Sequence, residues 1–126
     1  MPPESTDPAA LWDMLTYARE ICNSVGRLPL NRYIADGNLR FATERRIEII
    51  GEAARRVSES FRLAHPDIPW RRIIGLRNIL AHGYGEVRQE VMHSIATVHV
   101  PELIDLLTPL VPEPPIELEN NAINRT

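Results

Sequence analysis

The chain has 126 residues, a length that suits one small domain with a single core. Its hydrophobic content of 44% and charged content of 25% are typical of a globular protein and exclude a disordered polyelectrolyte. The formal net charge of -3 excludes a protein that coats nucleic acid by bulk electrostatics, so any contact with nucleic acid must use a local basic cluster.

Other features of the composition predict location and exclude some kinds of site. No run of 18 or more apolar residues is present, and residues 1–5, MPPES, lack the basic and apolar regions of a secretory signal. We therefore expect a cytoplasmic protein. Cys22 is the single cysteine, so one chain can form neither an internal disulfide nor a cysteine-based metal site. All the basic residues are arginine, which fits either phosphate binding or a biased genome composition.

The first helix is predicted from its two ends. Asp7 and Pro8 suit a helix start, with the Asp7 carboxylate capping free backbone amides, and Gly26 suits the end. Between them, apolar residues recur at offsets of three and four and predict a stripe that faces the core. The stripe consists of Leu11, Leu15, Ala18, Cys22 and Val25, widened by Trp12, Met14 and Ile21.

A second long helix is predicted from about residue 39 to residue 65, after a connection over residues 28–38 that contains one short helical turn. Gly51 costs about 1 kcal/mol relative to alanine inside a helix, which indicates that another helix crosses closely there. Most charged residues should lie on a solvated face, in weak pairs such as Glu52 with Arg56. The predicted apolar line is Ile47, Ile50, Gly51, Ala54, Val57 and Phe61.

Pro66 and Pro69 end the second helix, and Trp70 is predicted to anchor the start of the third. The third helix is apolar at helical offsets, and we expect it to be buried on most of its circumference. Gly83 is predicted to end it. The apolar residues are Ile73, Ile74, Leu76, Ile79, Leu80 and Ala81.

A fourth helix is predicted from about residue 86 to residue 107, with a kink or restart at Pro101. Its apolar line is Val87, Val91, Ile95 and Val98, continued by Leu103, Leu106 and Leu107. The proline-rich and polar residues 108–126 predict a flexible tail. The expected architecture is an all-α four-helix bundle over residues 1–107, with a kinked last helix and a short tail.

Four polar residues near the end of the third helix are the candidate site: Arg77, Asn78, His82 and Tyr84. At about 100° per residue, Arg77 and Tyr84 are nearly eclipsed, whereas His82 is rotated by roughly 140° from Arg77. If the helix ends at Gly83, the following turn can bring Tyr84 beside His82. Structural roles are also open, because a histidine suits a helix C-terminus, an arginine stem can cover apolar surface and an asparagine can bond a neighbouring helix.

The order of these residues resembles the motif of the HEPN superfamily in the form found in HepT-type toxins. That motif is Arg, four residues, His, any residue and Tyr, with Asn directly after the Arg. Residues 45–54, RRIEIIGEAA, and residues 66–70, PDIPW, are similar as well, and the resemblance covers roughly residues 8–107. It implies a HEPN-type bundle, a metal-independent endoribonuclease, and a homodimer in which two motif helices form a composite cleft.

These residue types suit the cleavage of RNA, whose own 2′-hydroxyl is a nucleophile beside the phosphate. Histidine moves protons near neutral pH, and the arginine fork holds phosphoryl oxygens without losing its proton. We hypothesise that His82 is the general base or acid, Arg77 the phosphate and transition-state clamp, and Asn78 an orienting partner. Tyr84 would position the substrate or assist proton transfer. No cofactor or metal is expected.

The resemblance also implies a protein partner. HepT-like toxins are paired with an MntA-type nucleotidyltransferase antitoxin in a type VII-like toxin–antitoxin system. The antitoxin blocks the toxin by transferring AMP to the motif tyrosine, which is Tyr84 in this sequence. AMP would add bulk and negative charge to a cleft meant for RNA phosphate. One alternative is a non-catalytic helical protein that binds nucleotide or a nucleotidyltransferase. Another is a metal hydrolase, which the six-residue spacing of His93 and His99 disfavours.

Overall fold

The computed structural model describes residues 6–82 and 88–112, and in these ranges it is helical without a strand. The helices are α1 Asp7–Val25, α2 Leu30–Ala35, α3 Gly37–Arg56, α4 Glu59–Ala64, α5 Trp70–His82, α6 Gln89–Ser94 and α7 Val100–Leu107. A π-helical turn, Ile95–His99, joins α6 to α7, and a 3-10 turn, Thr108–Leu110, follows α7. The predicted all-α bundle is confirmed, with α1, α3, α5 and the α6–α7 segment as its long members. In the described ranges, every helix is too short or too polar to cross a membrane.

Helix α1 packs against α3 and against α7, so it lies at the centre of the core. It ends at Gly26 as predicted, where φ is +53° and the glycine N–H donates to the Cys22 carbonyl at 2.9 Å. Two members of the predicted stripe lie elsewhere, because Trp12 is exposed and Cys22 is only half-buried. The residues of α1 that are buried are Ala10, Leu11, Met14, Leu15, Ala18, Ile21 and Val25.

The predicted second helix is two helices, and Ser58 explains the break. Val57 and Ser58 adopt extended backbone, and the Ser58 hydroxyl accepts from the Phe61 N–H to cap α4. Asp7 does not cap α1 as predicted, since Thr6 precedes that helix. Its carboxylate instead accepts from the Ser58 N–H at 2.7 Å and the Ser58 hydroxyl at 2.6 Å. A contact between residues far apart in sequence therefore ends α3 early.

Trp70 anchors the beginning of α5, as predicted. Its side chain is buried, and its indole N–H donates to the His65 carbonyl at 3.0 Å. The indole also meets the Phe61 ring edge-on, with 6.4 Å between the ring centroids. Phe61 lies in α4 and His65 directly follows it, so these two contacts with Trp70 fix where α5 begins.

The last helix is interrupted beside Pro101, where the sequence predicts a kink or restart. The Val100 N–H donates to the Ile95 carbonyl, five residues back, and the proline that follows has no N–H to donate. The predicted line through Val91 and Val98 is wrong, because both are exposed. The side of this helix that faces the core is the neighbouring one. Its buried residues are Met92, Ala96, Val100, Leu103 and Leu107.

Candidate active site

Helix α5 carries the candidate residues and packs mainly against α3. Trp70 is its one buried residue in the single chain, and Ile79 is 49% exposed. The apolar residues Ile73, Leu76 and Leu80 are half-buried. The expectation that this helix is buried on most of its circumference is wrong for one chain, because α5 has a close neighbour on one side.

The close helix crossing predicted at Gly51 is confirmed, and Arg77 lies in it. A Cβ added to Gly51 would overlap the Cβ of Arg77 and would lie 2.8 Å from the Arg77 Cγ and 3.0 Å from the Ile73 carbonyl oxygen. A larger residue at this position requires α5 to move. The aliphatic stem of Arg77 therefore lies directly against the α3 backbone, which fixes the point where this side chain leaves α5.

The Arg77 guanidinium is held by two oxygen groups. Its Nη1 donates to the Asn78 side-chain oxygen at 3.1 Å, and its Nη2 donates to the Glu52 carboxylate. Its Nε is buried and has no hydrogen-bond partner in the described part of the chain. A guanidinium has five N–H donors, so within the described residues one N–H on each terminal nitrogen is left without a protein partner.

Sequence reasoning missed Glu52, because it paired this residue with Arg56 on the same helix. Arg56 instead forms an ion pair with Asp13 on α1, at 2.8 Å. Glu52 reaches across the helix crossing to Arg77. A signal was present in the sequence, since Glu52 directly follows the glycine that indicated the crossing.

Asn78 and His82 lie on the exposed side of α5, four residues apart and so on the same face. His82 is the last residue of the helix. The structure brings Asn78 against Arg77 and places His82 one turn further along. Gly83 and Tyr84 lie outside the described residues, as does the turn predicted to bring Tyr84 beside His82.

The sequence of α5 contains three arginines and no acidic residue, although the whole chain is acidic. Arg71 and Arg72 are exposed in its first turn. Arg72 and His99 line a cavity of about 260 Å³ whose other walls are Pro69 and apolar side chains of α3, α5 and the α6–α7 segment. Helix α5 therefore presents two exposed arginines in its first turn, while its third arginine, Arg77, is paired with Glu52.

The histidines of the α6–α7 segment have structural partners. His93 Nε2 donates to the Leu28 carbonyl oxygen at 2.6 Å, and its ring centroid lies 5.5 Å from that of Tyr33. His99 Nδ1 lies 3.9 Å from a carboxylate oxygen of Glu102. Within residues 6–82 and 88–112, no three His, Cys, Asp or Glu side chains are grouped to hold a metal ion.

Comparison with known proteins identifies the family of the chain. The family model described as "Ribonuclease HepT-like" matches residues 14–110. A candidate RNase of Methanocaldococcus jannaschii is 35% identical over 95 residues, which cover 75% of this chain and 87% of that protein. A candidate ribonuclease HepT of Thermococcus cleftensis is 33% identical over 87 residues, which cover 69% of this chain and 73% of that protein. No solved structure matches the chain. The chain belongs to the HepT-like ribonuclease family of the HEPN superfamily.

Proposed function

We propose that the chain is a metal-independent endoribonuclease toxin, the nuclease of a type VII-like HepT/MntA toxin–antitoxin pair. The observation that best supports this is the state of Arg77. Its guanidinium donates to Asn78 and to Glu52, while one N–H on each terminal nitrogen remains for a phosphate. The exposed His82 lies on the same helix. An oxyanion clamp and an imidazole that can transfer protons are the two parts that metal-free cleavage of RNA needs.

In the proposed reaction, an imidazole takes the proton of the RNA 2′-hydroxyl, and the 2′-oxygen attacks the adjacent phosphorus. The bond from phosphorus to the 5′-oxygen breaks, and that oxygen receives a proton from an imidazolium. The products are a 2′,3′-cyclic phosphate and a 5′-hydroxyl. His82 supplies the imidazole, and Arg77 stabilises the charge that grows on the phosphoryl oxygens. Asn78 orients the guanidinium, and Tyr84 positions the RNA.

The nuclease reaction is tested with a labelled RNA oligonucleotide in excess chelator. We expect cleavage to continue without free metal and to fall by about 10²-fold or more in His82→Ala, because general acid–base catalysis contributes that much. His99→Ala is the matched control, since it removes another exposed histidine outside the motif. Undiminished cleavage by His82→Ala, or loss of all cleavage in chelator, would contradict the proposal. A protein that binds a nucleotidyltransferase but never cleaves RNA would favour the non-catalytic alternative.

The proposal includes a homodimer, because one motif supplies one histidine for two proton transfers. The unpartnered side of α5 supports it. Ile79 is half-exposed there, and a Cβ added to Gly75 would meet no atom within 4 Å. A glycine inside a helix costs about 1 kcal/mol relative to alanine, and no contact within the described chain requires one at this position. A crossing α5 from a second copy would require it.

Gly75→Ala tests this dimer by sedimentation velocity over a range of protein concentrations. Overpacking at a helix crossing costs roughly 1–3 kcal/mol, so we expect the dissociation constant to rise by about tenfold or more. Association that is unchanged by this substitution would place the second copy elsewhere. A wild-type protein that is monomeric and fully active would exclude the composite site.

We further propose that the partner is an MntA-type nucleotidyltransferase, which inactivates the toxin by transferring AMP to Tyr84. This position follows His82 by two residues, so a phosphodiester there would bring negative charge to the proposed RNA site. Mass spectrometry of the protein co-expressed with the product of its neighbouring gene tests the modification, with Tyr84→Phe as the control. AMP found only on Tyr17 or Tyr33 would contradict the assignment. Growth arrest by the chain alone, relieved by the partner, is the expected phenotype.

A further inference from the structure

The acidic residue beside the proposed phosphate clamp comes from a different helix. Glu52 lies on α3, and its carboxylate accepts from Nη2 of Arg77 on α5. The Glu52 side chain is 45% exposed and the Arg77 side chain 17%, so the acid lies on the solvent side of the pair.

Two consecutive residues of α3 hold Arg77 at different points along its length. Gly51 lets the stem lie against the α3 backbone, and Glu52 holds the guanidinium at the far end. Asn78 holds the other terminal nitrogen. A free arginine side chain carries about 2 kcal/mol of rotamer entropy. When the folded protein has already ordered the side chain, this entropy does not have to be lost as charge develops in the transition state.

We infer that Glu52 is a positioning residue for RNA cleavage, one that acts through Arg77 and does not touch the reacting atoms. This inference rests on the proposed nuclease function. The ion pair is formally neutral, so removing the carboxylate leaves a more positive site that binds RNA at least as well as before. The guanidinium is then free to rotate away from the developing oxyanion. The effect of Glu52 therefore falls on kcat, and KM does not rise.

Three substitutions at Glu52 separate positioning from other roles in steady-state cleavage of an RNA oligonucleotide. Glu52→Gln keeps an oxygen that can accept from the charged Arg77 guanidinium and removes only the attraction between opposite charges, so we expect kcat to fall by about tenfold or less. Glu52→Ala removes the acceptor, and kcat should fall by about 10²-fold, the loss typical of a misplaced group. Glu52→Asp keeps the charge on a shorter side chain, and its kcat should lie between those of Glu52→Gln and Glu52→Ala.

Glu48→Gln is the matched control. Glu48 lies one turn earlier on α3 and forms an ion pair with Arg45 at 3.2 Å, so the change removes the same charge from the same helix. Its kcat and KM should equal those of the wild type. The limbs of the kcat–pH profile should also be unchanged in Glu52→Gln, because a positioning residue transfers no proton.

Two results would overturn the inference. The first is a wild-type kcat in Glu52→Ala. The second is equal inactivity of Glu52→Gln and Glu52→Ala together with loss of the acidic limb, which would make Glu52 the general base.

Side-chain ¹⁵N NMR of Arg77 separates this inference from the proposed function. In the wild type, the contact with Glu52 should make the Arg77 guanidinium rotate slowly. In Glu52→Ala the rotation should be faster, whether or not the chain cleaves RNA. An Arg77 that stays ordered in this variant would refute the positioning role. A wild-type protein without nuclease activity would refute the proposed function instead.

Discussion

Gly51→Ala tests the helix crossing that holds Arg77 in place. At an open helix position this change stabilises a protein by about 1 kcal/mol, because alanine is the better helix former. At Gly51 the new Cβ would overlap the Arg77 Cβ and lie 3.0 Å from the Ile73 carbonyl oxygen. The Cβ of Arg77 is bonded directly to the backbone and the Ile73 oxygen is a backbone atom, so neither can rotate away. Overpacking costs roughly 1–3 kcal/mol, so after the gain of about 1 kcal/mol in helix propensity we expect a net loss of up to about 2 kcal/mol.

Urea unfolding followed by circular dichroism measures this loss. With a slope of about 1–3 kcal/mol per molar urea, each 1 kcal/mol of lost stability should lower the midpoint by roughly 0.3–1 M. RNA cleavage by the folded variant should fall further, by about 10²-fold, because the shift of α5 moves the Arg77 guanidinium. Gly75→Ala is the matched control for helix propensity, and in the dissociated chain it should gain about 1 kcal/mol. A gain in stability at Gly51 as well would refute the close crossing.

Three other substitutions test contacts described above. Ser58→Ala removes the hydroxyl that caps α4 and donates to Asp7, so urea unfolding should show a loss of about 1–2 kcal/mol; unchanged stability would contradict the cap. Trp70→Phe removes the donor to the His65 carbonyl and should cost about 1 kcal/mol in thermal unfolding, whereas an unchanged midpoint would mean that this bond contributes nothing. Burial raises the pKa of Tyr33 above its ordinary value of 10.0, so the unfolded chain ionises first and stability should fall as pH rises above about 10. Tyr33→Phe should lose less stability than the wild type over that range, and identical urea midpoints across the pH series would refute the shift.

The features that could be predicted from sequence are those decided by a residue's own backbone or its near neighbours. Gly26 ends α1 because a glycine accepts positive φ, and Trp70 anchors α5 directly after a proline. The crossing at Gly51 was predictable because a helical glycine has an energetic cost that a close neighbour explains. The spacing of Arg77, Asn78 and His82 likewise identified the candidate residues before any fold was known.

The errors arose where contacts between distant segments decide the outcome. The break between α3 and α4 depends on Asp7, which lies 51 residues before Ser58 in the sequence. The pairing of Glu52 with Arg77 depends on how α3 and α5 cross, and a helical period cannot supply that angle. The prediction that α5 is buried on most of its circumference was wrong for a related reason. An apolar residue such as Ile79 indicates a contact but does not show whether the same chain provides it.

The π-helical turn before Pro101 gives the last helix a particular tolerance to changes in chain length. Such a turn holds one residue more than an α-helical turn. Deleting the exposed Val98 would let α6 and α7 run on as one continuous α-helix, with Met92 and Leu103 still buried in the core. The same deletion in the middle of α3 would rotate every later residue of that helix by about 100° and turn its core side chains to solvent. Relatives that differ in length by one residue are therefore expected to differ at this turn.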